Sequence, residues 1–65
     1  MGIQFKLILL KRGVKQFELA DACGLQESKV SKFANGREVP KDREIALMAA
    51  ALQVSEAKLR KEAGW

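Results

Sequence analysis

Between Gln26 and Lys32 the chain reads QESKVSK, so an amide, a carboxylate, two hydroxyls and two ammonium groups surround a single valine. With Val30 and Phe33 set inward, a helical pitch of about 100° per residue turns Glu27, Ser28, Ser31 and Lys32 outward. Such a face recognises by hydrogen bonding; it makes and breaks no bonds. A lysine placed like Lys32 can donate to guanine O6 and N7, and a carboxylate placed like Glu27 can accept from cytosine N4. Gln26 and Ser28 are adaptable donors or acceptors. Lys29 falls at the edge of the face, where a phosphate is its expected target. Glu27 has an equally weighted second role, favouring the helix N-terminus through the helix dipole.

The rest of the composition points away from catalysis. The chain has no histidine and one cysteine, Cys23. That rules out an internal disulfide and the usual zinc ligand sets. No paired-carboxylate cleft or phosphate-cradling loop is legible either, so no enzyme, metal, cofactor or small-molecule ligand is expected. Cys23 reads as a small buried apolar residue. The net charge is +4. Lys6, Lys11, Arg12 and Lys15 precede an acidic stretch holding Glu18 and Asp21, and Lys29, Lys32, Arg37, Lys41 and Arg43 follow it. This distribution suits a polyanion partner. Lys11, Arg12 and Lys15 are open between phosphate contact and simple solubility.

Elements to hold these residues follow from the punctuation. Gly13, Gly24, Asn35-Gly36 and Pro40 divide short periodic segments, and no two-residue alternation suggests a strand. Helices are expected over 3–12, 16–23, 27–34 and 42–52. A last helix, capped by Ser55 and carrying Leu59, ends near Glu62. The fold class is therefore all-α, a compact bundle of five short helices forming one domain over residues 1–65. No apolar run approaches the roughly 18 residues of a membrane span. The opening residues lack the pattern of a signal peptide, and Gly2 is followed by Lys6 where myristoylation prefers Ser or Thr. A cytoplasmic location is expected.

Within this frame the segment 16–35, QFELADACGLQESKVSKFAN, has the make-up of two helices crossing at a tight turn. Ala20 is small at the crossing, Gly24 can take positive φ in the turn, and Leu19, Leu25, Val30 and Phe33 form the apolar wedge. Through Gln16, Leu19, Ala20, Gly24, Leu25, Val30, Ser31 and Asn35-Gly36 the chain resembles the lambda-repressor-like, Cro/repressor-type helix-turn-helix family, also called the xenobiotic-response-element type. Pro40, Ile45, Ala50, Leu52 and Val54-Ser55 extend the resemblance across roughly 7–59.

The resemblance implies a DNA-binding protein that reads the major groove with the segment 26–33. Its base-reading set is Gln26, Glu27, Ser28, Ser31 and Lys32. Its phosphate-binding set is Gln16, Lys15, Lys29, Asn35, Arg37, Lys41 and Arg43. A small transcriptional repressor of phage or mobile-element type, dimeric on palindromic double-stranded DNA, is the leading reading. The alternatives are a DNA-bending recombination accessory factor, an antitoxin, and a helical interaction module that does not read DNA.

Departures from the family pattern carry further expectations. Leu9 and Ala34 stand where the family often has a buried Arg–Glu pair, and are expected to pack near one another instead. Lys15 and Gln26 replace better helix caps, each at a cost of about 1 kcal/mol. Gln53 replaces the glycine that commonly ends the fourth helix. Phe5, Phe17 and Phe33 are expected in the core. Trp65 is exposed, folded back as a lid, or buried by a partner; with Leu59 and Ala63 it would supply the apolar patch of a homodimer.

Overall fold

The computed structural model describes residues 3–65. Met1 and Gly2, with the reading of Gly2 above, lie outside the described residues, as does the side chain of Ile3. Five helices follow in order among the described residues: α1 (Ile3–Arg12), α2 (Gln16–Cys23), α3 (Glu27–Ala34), α4 (Asp42–Leu52) and α5 (Glu56–Ala63). No strand interrupts them in that range, so the fold is all-α. None of these helices is long and apolar enough to cross a membrane.

Each helix stops where local chemistry requires it. Gly13, Gly24 and Gly36 adopt φ of +66°, +70° and +72°. At Gly13 and Gly24 a Cβ would meet nothing within 4 Å, so backbone conformation alone selects glycine there. Past Gly24 the chain turns back, with the Leu25 N–H donating to the Ala20 carbonyl at 2.9 Å. Gln53 closes α4 at φ +59° without being a glycine.

Helix starts are better served than their cap residues suggest. The Glu18 carboxylate accepts from the Lys15 N–H at 3.0 Å, and Glu44 accepts from the Lys41 N–H at 2.8 Å. A lysine side chain has no acceptor to return such a bond, so only half of a capping box forms at each site. Ser55 caps α5, its hydroxyl accepting from the Lys58 N–H at 3.1 Å. Gln26 makes no side-chain cap at α3, as its type suggested.

The helices converge on one core that includes Phe5, Leu9, Leu19, Val30, Phe33, Ala34, Ile45, Met48 and Leu59. Leu9 and Ala34 are 2% and 1% exposed, so the position of the missing ion pair is apolar and closed. Cys23 is buried too, and burial pushes its thiol pKa upward, away from reactivity. The α2–α3 pair packs with α1 and α4 behind it, while α5 rests on α1 and α4. The Arg12 guanidinium donates to the Leu52 carbonyl at 3.3 Å, tying the end of α1 to the C-terminal end of α4.

Two sequence expectations are corrected. Phe17 is 54% exposed instead of lying in the core. At about 100° per residue, Leu19, Cys23 and Ala20 share one stripe and Phe17 lies roughly 110° from its centre. The dimer patch is also corrected. Leu59 and Ala63 are 1% and 0% exposed, because they stand one helical turn apart on the face of α5 that fills the core. Trp65 folds back as a lid, its ring 4.8 Å from that of Phe5 and 6.3 Å, edge-on, from that of Phe33. The Trp65 backbone N–H donates to the Arg60 carbonyl at 2.8 Å, fixing the return. This apolar surface is spent inside the protomer.

Candidate nucleic-acid interface

The outward face of α3 is set by what its inward face must do. Val30, Phe33 and Ala34 are buried against α1 and α2. Gln26, Glu27, Ser28 and Lys32 are consequently exposed, and Ser31 is half-buried at the margin. Four of the five expected base-reading residues are thus exposed, three on α3 and Gln26 at its N-cap. Ser31 is partly engaged, its hydroxyl accepting from the Asn35 Nδ2 amide at 3.3 Å. That bond spans one turn and holds the Asn35 side chain against the helix end.

Cationic and polar groups stand along the chain before and after α3. Lys15 and Gln16 head α2, the lysine exposed and the glutamine half-buried. Arg37 and Lys41 lie in the segment from α3 to α4, and Arg43 in the first turn of α4; all three are exposed. Of the seven residues expected to meet phosphates, Lys15, Asn35, Arg37, Lys41 and Arg43 are exposed and Gln16 is half-buried, and none of these six is in an ion pair with a carboxylate.

Lys29 is the exception. Its Nζ lies 3.3 Å from Glu38 Oε2 and 3.3 Å from Glu44 Oε2. Hydrogen bonds to Glu38 and then to Glu44 push the Lys29 pKa upward. Burial pushes the Glu44 carboxyl up, but the Lys41 N–H and the Lys29 ammonium outweigh it and leave that pKa lowered. Lys29 is thus held as an ammonium whose charge is compensated by two carboxylates. These two ion pairs tie α3 to the first turn of α4 and to the loop that carries Arg37 and Lys41.

Sequence reasoning missed three things here. The partners of Lys29 lie beyond the reach of any helical spacing, so no local signal marked them. Glu18 and Glu44 as cap acceptors were legible, each three residues past its cap. The exposed Phe17 also went unseen; it lies with Lys6, Leu10, Val14, Gln16 and Glu27 along an open groove of about 270 Å³. A larger hollow, about 440 Å³, runs along α1 past Leu7, Ile8 and Lys11 to Glu62, away from α3.

Two short helices joined by a tight turn at Gly24, the second with a polar exposed face, have the form of a helix-turn-helix. Compared with known families, residues 1–64 match the helix-turn-helix domain. The chain belongs to the helix-turn-helix domain family. No curated protein and no solved structure matches it. As a helix-turn-helix domain it is a DNA-binding protein.

Proposed function

We propose that this helix-turn-helix domain is a sequence-specific transcriptional regulator of the Cro/repressor type, with α3 lying in the major groove of double-stranded DNA. The observation that carries the reading is the mixed polarity of the exposed face of α3. Glu27, Ser28 and Lys32 offer an acceptor, a hydroxyl and a donor within two turns. Purely electrostatic binding would favour lysine and arginine throughout, because phosphates carry no sequence information. Gln26, Glu27, Ser28, Ser31 and Lys32 form the base-reading set in this proposal. Lys15, Gln16, Asn35, Arg37, Lys41 and Arg43 hold the backbone on either side, and Lys29 orders the loop between them.

The proposal includes a symmetric homodimer reading a palindrome, with its two recognition helices about 34 Å apart, one turn of DNA. Leu59 and Ala63 are internal, so the dimer contact is made by other surfaces. Selection from random duplexes tests the whole reading. A defined palindrome with one half-site per protomer is the expected product. Recovery of random sequence at every salt concentration would overturn it in favour of an interaction module or a non-specific DNA binder.

A further inference from the structure

Phe17 projects from the first turn of α2 with more than half its surface in solvent, beside residues already assigned to DNA. Solitary exposed apolar residues are common and need no explanation. Phe17 is not solitary. Leu10, 67% exposed, and the half-buried Val14 continue its apolar surface along the groove, and Glu27 of α3 forms part of the same lining. The rim is cationic, with Lys6 and Lys15 bordering the apolar floor. Lys15 Nζ stands 5.9 Å from the Phe17 ring centroid, within reach of the ring face.

An apolar floor beneath ammonium groups, next to a base-reading carboxylate, fits an apolar group carried on a polyanion. In the major groove that group is the C5-methyl of a pyrimidine, whose edge lies near the phosphate backbone and which phenylalanine can contact. We infer that Phe17 is a specificity-determining residue that packs on a pyrimidine C5-methyl beside the base read by Glu27, with Lys15 on an adjacent phosphate. The inference rests on the major-groove reading proposed above. Thymine and 5-methylcytosine present the same methyl group, and both fit the site equally.

The test starts from the duplex that selection recovers. Each thymine is replaced singly by uracil, which removes only the methyl, and each cytosine singly by 5-methylcytosine. One position per half-site should respond: uracil there weakens the unaltered protein about fourfold, or 5-methylcytosine strengthens it about fourfold, the worth of one buried methyl group. The first result names thymine as the source and the second 5-methylcytosine. The variant Phe17→Ala should be indifferent at that position. Its helicity and melting temperature should match those of the unaltered protein, since Phe17 lies outside the core. Identical methyl profiles for both proteins would overturn the inference. So would a Phe17→Ala variant that changes self-association while keeping the full methyl profile, which would assign the groove to a second copy of the chain. Failure to recover any preferred duplex is seen earlier, with the unaltered protein, and defeats the major-groove reading itself.

Discussion

Lys29 on α3 stands 3.3 Å from Glu44 on α4, and the Glu44 side chain is only 12% exposed. The same ammonium reaches Glu38 in the intervening loop. Three points of the chain that local pattern would treat separately are thereby held as one unit. The consequence is positional: Arg37 and Lys41 leave a loop whose ends are pinned. In the proposed reading, Lys29 serves the interface by ordering this loop.

Replacing Lys29 by methionine separates these roles. The variant should lose affinity on all sequences by about two- to fivefold, the range of exposed ion pairs. The slope of log K against log salt should stay unchanged, because no phosphate contact is removed. Arg37→Ala should reduce that slope by about 0.9. A titration series over salt concentration distinguishes the two; an equal slope loss for Lys29→Met would return Lys29 to the phosphate set.

Base reading and backbone holding predict different footprints on sequence. Lys32→Ala should relax preference at one base pair, at a cost of about 1–3 kcal/mol on the preferred site and little elsewhere. Arg37→Ala should weaken preferred and random duplexes alike. Equal losses on both duplexes for Lys32→Ala would remove Lys32 from the base-reading set.

The pKa shifts give stability a direction on both pH limbs. Glu44 is lowered from 4.5, so its contribution is present above that value and is lost as pH falls through the lower folded value. Lys29 is raised from 10.5, so its contribution is complete below that value and disappears as pH rises through the higher folded one. Urea melts in the acid range should show Glu44→Gln with a flatter pH dependence than the unaltered protein. Parallel curves would mean that Glu44 is not a source of the acid limb.

Gln53 offers a gain instead of a loss. A side chain held at φ +59° bears a penalty of about 1 kcal/mol that glycine avoids. Gln53→Gly should therefore raise the urea midpoint, with the greater freedom of glycine in the unfolded chain offsetting part of the benefit. Conversely, Trp65→Ala removes the lid over Phe5 and Phe33. It should cost at least the 0.5–1.5 kcal/mol of an aromatic pair, measured in the same melts.

The features legible in the residues themselves were the local ones. Four helices, 3–12, 16–23, 27–34 and 42–52, begin and end where expected. Their limits depend on backbone torsions and bonds within a single turn, at Gly13, Gly24, Gly36 and Gln53. Glu27, Ser28 and Lys32 of the outward set on α3 were equally legible, since Val30 and Phe33 fix its rotation once the helix exists, whereas Ser31 is half-buried at the margin. Tertiary structure decided which of several admissible partners each side chain found. It turned Phe17 out because α2 buries only the Leu19–Ala20–Cys23 stripe, and placed Leu59, Ala63 and the Trp65 lid within the protomer. It also paired Lys29 with two carboxylates, Glu38 and Glu44, that no helical spacing marked. Helical periodicity specifies a direction around one axis, whereas these outcomes depend on where the other axes lie, and that is set by the packing of all five helices together.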